Sequence, residues 1–542
     1  MKKTNTFLLS ILVFITFQIG NAQKFLTEVF DEVEVTSNVI YGVNATVIAF
    51  SQLGEAVPQP LTMDVYEPVG DEADERPLAL VFHTGNFLPP EINGGIAGTK
   101  VDSNVVEICT RLAKHGYTAA SVEYRLGWNP LAETQPQRAL GLIQAAYRGI
   151  QDGRTCIRYF RKDYTEAGNQ FKVDTSRITA FGVGTGGYLV LGMVGLTEYT
   201  EIITTTNGPG KFLLSAEPLI PMVVEAYHGD VEGKNLTVTP DDAFGLPAGD
   251  TTNYVNHPNY SSDFHLCANV GGAIGDISWL EAGDQPIISM QSAYDQFAPY
   301  DDATLVVPTT GDPIVRVQGA LAIAMKQNEL GNHQEFIDAN ISDVYTDAAI
   351  HHSALSIQGH DYMEALFPVT NPLNAFGFDE GVVTNWWNAT DLSPISGIAW
   401  GELPHSLDPE NLTYHSQGQI LNVGMGPEKA KANIDTIMGY FAPRAYITLS
   451  LEDLVATETI RPEEVNLRVA PNPVADQFML TSAEETPMQR ISIYDINGKL
   501  VRRYDSVNYH YFYIPRGDMP AGTYIVNVDF KKGHTSRKLI LK

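Results

Sequence analysis

Basic side chains are scarce in this chain: over 542 residues, 35 Lys and Arg stand against 64 Asp and Glu, so 35 − 64 = −29 with histidine neutral. So acidic a surface repels a phosphate backbone, which excludes nucleic acid as a partner. Cysteine is also rare. Cys109, Cys156 and Cys267 permit at most one disulfide and leave one thiol over, and their spacing contains no CxxC metal pair. Long apolar runs are almost missing. The single candidate, residues 7–17, falls short of the ~20 residues that a bilayer span needs, so no membrane span is expected. Charged residues make up 18%, below the roughly 25% of an average soluble protein. What the chain does have is 44% apolar and 10% aromatic residues, enough for a sizeable core, with 46 Gly, 31 Pro and 25 Tyr that suit long ordered loops.

Lys2 and Lys3 precede the short apolar run, and Gly20-Asn21-Ala22 offers small residues for cleavage, so residues 1–22 read as a signal peptide. At the other end the text changes. Residues 455–465 read as a linker, and 466–542 alternate short apolar runs with turns such as Asn497-Gly498 and Pro520-Ala521-Gly522. This tail holds 11 basic and 7 acidic residues, +4, leaving −33 for the rest of the chain. About seven strands in a β-sandwich are expected. Ala470-Pro471-Asn472-Pro473-Val474, then residues 493–499 (Ile-Tyr-Asp-Ile-Asn-Gly-Lys), Pro520-Ala521-Gly522-Thr523-Tyr524 and Lys538-Leu539-Ile540-Leu541-Lys542 resemble the C-terminal sorting domain of type IX secretion cargo. The resemblance implies passage through the periplasm, recognition by the type IX machinery, and a protein that is secreted or attached at the cell surface.

The body, residues 23–454, alternates strand and helix patterns. Residues 78–83 and 117–123 are continuous apolar runs of the kind buried in a parallel sheet, and further strands are expected at 177–181, 265–270, 286–290 and 354–357. Helices are expected around residues 105–112, at 139–150, 187–195, 317–330 and 428–441. This rhythm predicts an α/β class fold, a doubly wound and mostly parallel sheet. Residues 197–262, rich in Gly, Pro, Asp and Asn, interrupt it and are expected to form a cap over the carboxyl ends of the strands.

Gly182-Val183-Gly184-Thr185-Gly186-Gly187 is a glycine-rich turn from strand to helix. It satisfies the G-x-G-x-x-G pattern of a dinucleotide site literally, and misses the G-x-S-x-G of a nucleophile elbow at the serine. The dinucleotide reading, a nucleotide-dependent oxidoreductase, wants the motif on the first strand and an acid about 20 residues later. Here at least two strands precede it, and Glu198 and Glu201 follow no apolar strand.

Several stretches resemble the α/β-hydrolase superfamily, carboxylesterase-like branch. Residues 61–68 (Leu-Thr-Met-Asp-Val-Tyr-Glu-Pro) resemble its opening strand, and His83-Thr84-Gly85-Asn86-Phe87 its H-G-G-G-F loop. Residues 114–117 and Tyr124-Arg125-Leu126-Gly127 resemble a following helix end and turn, and 292–300 the stretch that carries the triad acid. The resemblance implies Asp295 as acid, His360 as base after the last strand, and Thr84, Gly85, Asn86 and Thr185 around the oxyanion hole. Asp276 competes for the acid role. Gly184 stands where the nucleophile belongs and supplies neither oxygen nor sulfur. Thr185 is offset by one residue and should point away from the base.

Three functions remain open. The body binds a small-molecule or acyl-ester ligand without turnover, or hydrolyses esters through water on His360, or uses a dinucleotide. The first two need no cofactor or metal. If the surrounding triad is intact, Gly184→Ser should raise esterase activity. His351-His352 and the Asp241-Asp242, Asp250 cluster read as loop and solvated face, and Trp386-Trp387 as packing or a pocket rim.

Overall fold

A computed structural model describes residues 24–48, 50–295, 298–306, 311–355, 360–369, 385–421, 424, 426–455, 460–495, 500–504, 507–517, 519–530 and 533–542. The expected signal peptide lies outside the described residues. The chain divides into two compact units, residues 1–451 and 452–542.

In the first unit, eight strands build one sheet: β1 (Val33–Thr46), β2 (Val57–Pro68), β3 (Arg76–Phe82), β4 (Thr118–Val122), β5 (Val173–Val183), β6 (Leu266–Val270), β7 (Ile287–Ser292) and β8 (Leu366–Val369). Their order is β1-β2-β4-β3-β5-β6-β7-β8. β2 runs antiparallel to both β1 and β4, and every other pairing is parallel. All seven residues of β3 are buried, as are all five of β4 and of β6, the pattern of strands covered on both faces. The expected α/β class holds, with six principal helices: α1 (Ser103–His115), α2 (Gln135–Glu166), α3 (Thr185–Gly195), α4 (Ala320–Leu330), α5 (Val344–Leu355) and α6 (Pro427–Thr448).

Helix α2 is far longer than its apolar pattern suggests because buried polar residues share its inner side with apolar ones such as Leu142, Ile150, Ile157 and Phe160. Asp152 accepts from the Arg125 backbone amide at 2.8 Å and from its guanidinium at 2.9 Å, with both side chains fully buried. The same face grips the stretch expected as a cap. Gln144 donates to Met222 O, Tyr147 to Gly229 O, Gln151 to His228 O and Asp230 O, and Arg154 to Val231 O. The polar contacts of residues 222–232 thus run along the flank of α2. The extended carbonyls of this irregular backbone needed donors, and α2 supplies them.

Three expectations fail locally. Residues 354–355, expected in a strand, end helix α5, with 356–357 outside the described residues. Val317 and Gln318 close a strand hairpin before α4 begins. His351 and His352 lie on α5 rather than in a loop, where the His352 Nδ1–H donates to Pro368 O at 2.9 Å. The three cysteines are buried and unpaired.

The second unit contains seven strands among its described residues, in a three-stranded and a four-stranded sheet. Their inward residues, including Phe478, Ile491, Val526 and Leu539, form one core. Ile460 and Val465, expected in a linker, belong to that core, and the Ile460 amide donates to His534 O at 2.8 Å. An apolar residue every few positions is enough to draw such a segment onto the sandwich.

Candidate functional site

The glycine turn follows β5, and its tightness has a steric cause. A Cβ on Gly182 would come within 2.5 Å of the Gly187 amide, one on Gly187 within 2.9 Å of Gly272 Cα, and one on Gly186 would overlap the Phe82 carbonyl. The Gly184 amide donates to Val270 O at 2.8 Å. Close packing of the turn against β3 and the loop after β6 thus accounts for these glycines without a bound phosphate.

Gly184 has φ 56° and ψ −117°, the left-handed region where a side chain is strained. A Cβ there would lie 2.8 Å from Thr84 Cβ and would overlap Thr84 Oγ1. Turning the threonine about χ1 moves its hydroxyl but not its Cβ, so the backbone must shift to admit any side chain. The sequence expectation that Gly184→Ser simply restores a nucleophile therefore does not survive the geometry.

Thr84, Gly85, Asn86, Gly184 and Thr185 do come together. The Asn86 amide donates to Thr185 Oγ1 at 3.0 Å, the Thr185 amide to Thr84 Oγ1 at 3.4 Å, and the two hydroxyls lie 3.3 Å apart. The two amides expected at an oxyanion hole are thus directed at the protein's own hydroxyls. The loop is stiffly held. Asn86 and Phe87 both have positive φ (56° and 55°), Asn86 O accepts from Trp128 Nε1 at 2.7 Å, and Asn93 Nδ2 donates to Gly85 O, Leu88 O and Ala97 O.

His360 lies before β8, not after the last strand. Its Nδ1–H donates to Asp361 O at 2.7 Å, leaving Nε2 to accept from the Tyr300 hydroxyl at 2.8 Å. An imidazole has two nitrogens and both are committed, so this conformation offers no pairing to Asp295. Asp295 follows β7, where its carboxylate accepts from the Ala298 amide at 2.9 Å and lies beside Gly271 at the end of β6. Asp276 is fully buried in an ion pair with Lys211 Nζ at 2.8 Å, and it also caps the turn at Ile277–Trp279.

Sequence reasoning missed the polar group beneath the loop. His83 is fully buried, stacks on Tyr124 (4.4 Å between ring centroids) and sits 3.3 Å from Glu123. Burial pulls its pKa down, but the charge and hydrogen bond of Glu123 outweigh this and hold it above the ordinary value. Asp102 is fully buried too, and accepts from the Gly98 amide at 2.8 Å and Thr99 Oγ1 at 3.0 Å. Burial pushes its pKa up to about 7, with His83 and these donors opposing. Between the unfolded value of about 4 and the folded value of about 7 the native state binds more protons, so this group's contribution to stability is present at low pH and is lost as pH rises through that window. Asp102→Asn should flatten the fall, read as the difference in melting temperature between variant and natural chain across the same pH range.

A different segment lies over this loop. Trp387, Trp400, Leu403 and Tyr414 pack with Ile96. The Ser396 amide donates to Glu91 Oε1 at 3.1 Å, the Tyr414 hydroxyl to Glu91 O at 2.9 Å, and His405 Nε2–H to Gly94 O at 3.1 Å.

Residues 468–542 match the family described as Secretion system C-terminal sorting domain. The chain is type IX cargo, exported and then secreted or attached at the surface. No helix among the described residues is long and apolar enough to cross a membrane. No match was found among curated proteins. Among solved structures, esterase 2 of Thermogutta terrifontis phosphorylated by paraoxon is 14% identical with a TM-score of 0.29, covering 55% of this chain and 79% of that one. The propionate-bound form of the thermophilic esterase from the same planctomycete gives 14%, 0.28, 55% and 80%. At these TM-scores the likeness says nothing of this chain's chemistry.

Proposed function

We propose that the body is an exported ligand-binding protein on a hydrolase framework, one that does not turn over esters at the inherited site. The observation that carries this reading is the Thr84 side chain occupying the space a Cβ at residue 184 would need. The satisfied Asn86 and Thr185 amides support it, since a tetrahedral intermediate would have to displace two hydroxyls from its donors.

The competing reading is slow hydrolysis by a water activated on His360. It is weakened by the Tyr300 hydroxyl on Nε2, the lone pair a general base would use. The test is hydrolysis of a p-nitrophenyl ester series, acetate to octanoate, by the full chain beside His360→Ala. Rates indistinguishable from buffer for both are expected. Turnover that disappears in His360→Ala overturns the proposal and installs the hydrolase reading.

A further inference from the structure

Buried polar atoms in native proteins are almost always paired, and each one that is not calls for an explanation. Four unpartnered buried atoms fall within one short stretch of this chain: Asn385 Nδ2, Trp387 Nε1, Trp400 Nε1 and His415 Nδ1. They belong to one neighbourhood. The Trp387 and Trp400 rings lie 6.3 Å apart, and the His415 amide donates to Trp400 O at 3.1 Å. Trp400 is 0% exposed, so its N–H is shut away from water and from any protein acceptor at once.

The stretch is fixed at its root and latched at its far side. At the root, the Ser103 hydroxyl donates to Asn385 Oδ1 at 2.7 Å. At the latch, Glu91 receives the Ser393 hydroxyl, the Ser396 amide and, on its carbonyl, the Tyr414 hydroxyl. Closing thus strips water from three N–H-bearing side chains without replacing it, while at the far side Glu91 alone receives three contacts from the segment.

We propose that residues 385–416 form a flap that opens by releasing Glu91 and presents Trp387, Trp400 and Asn385 to a neutral oligosaccharide. Sugar hydroxyl oxygens accept from the two indole N–H groups and the carboxamide, and the indole faces stack on pyranose rings. A hydrocarbon chain would leave all three donors unpaired. An anion would meet Lys431, which lies over the Trp386 ring at 5.8 Å but is already paired with Glu107 at 3.0 Å, and a body of charge −33 around it. The inference rests on the reading of the body as a binding protein. It names both the ligand class and the element that takes it.

Three of the five tryptophans, Trp386, Trp387 and Trp400, lie in the flap, so intrinsic fluorescence reports on it directly. The full chain is titrated with cellohexaose, xylohexaose, mannohexaose and maltohexaose, with propionate as the anionic acyl probe. A saturable change is expected with at least one hexasaccharide, about fivefold weaker in Trp400→Phe, which keeps a ring and deletes the N–H. Tighter binding is expected in Glu91→Ala, where the latch no longer competes with the open state. Silence toward every sugar in both the natural chain and Glu91→Ala overturns the proposal, as does sugar binding indifferent to Trp400→Phe or a response to propionate alone. Ester turnover by the natural chain would defeat the non-hydrolytic reading separately, without altering what the titration shows.

Discussion

Gly184→Ser in the full chain lowers the stability of the body by about 1–3 kcal/mol and creates no esterase. Two costs add. The serine takes φ 56°, which glycine adopts freely and an L side chain does not, and its Cβ meets Thr84 Cβ at 2.8 Å. Thr84→Gly in the same chain removes the second cost and leaves the first. The double variant should therefore recover part of the loss, with a coupling of about 1–2 kcal/mol in a double-mutant cycle by urea unfolding. Additive losses would mean that the two positions do not share one space. Activity stays absent even in the double variant, because the base is not in place: His360 spends its nitrogens on Asp361 and Tyr300.

Asp152→Ala is the most damaging single change expected, a loss of about 3–5 kcal/mol. Arg125 and Asp152 are both fully buried, and removing the carboxylate strands a guanidinium with no route to water. The neighbours cannot absorb it. Arg148 is also buried, and burial together with the like charge of Arg125 lowers its pKa to about 9. Arg125 also donates to Thr252 O, so the loss should loosen the irregular 222–256 stretch as well as α2. Protease cleavage in that stretch at temperatures where the natural chain resists would accompany the fall in melting temperature. A melting temperature within a degree or so of the natural chain would contradict the account.

The sheet was legible because its strands are buried on both faces. β3, β4 and β6 are fully buried and rich in small and apolar residues, interrupted only by single polar ones such as Ser121 and Asn269. β8 was not legible. It is four residues long and contains Pro368, which a central strand would not tolerate but an edge strand does, and β8 lies at the edge. Missing it placed the last strand too early and set His360 on the wrong side of it. Residues 354–355 looked like strand because apolar residues there carry no helical stop signal, whereas in the fold they finish α5.

The site was half legible. Each departure from the hydrolase pattern, Thr84, Asn86 and Gly184, can be seen one residue at a time. That Thr84 and Gly184 compensate one another depends on two loops separated by 100 residues meeting at van der Waals distance, and no local pattern encodes that. Residues 197–262 were expected as a cap over the strand ends by their position after α3. Within them, backbone carbonyls of residues 228–231 meet Gln and Arg side chains along α2, while Glu91 holds residues 393–414 to the loop. Composition alone does not say which irregular segment covers which surface.

The central claim is that the space at residue 184 is filled rather than merely vacated, and intact-mass spectrometry of the Gly184→Ser chain after exposure to a fluorophosphonate tests it most directly. No adduct is expected, because a serine pressed against Thr84 has neither an open oxyanion site nor a base to activate it. A single phosphonyl adduct on residue 184 would contradict it, for only an assembled hydrolase site makes that bond.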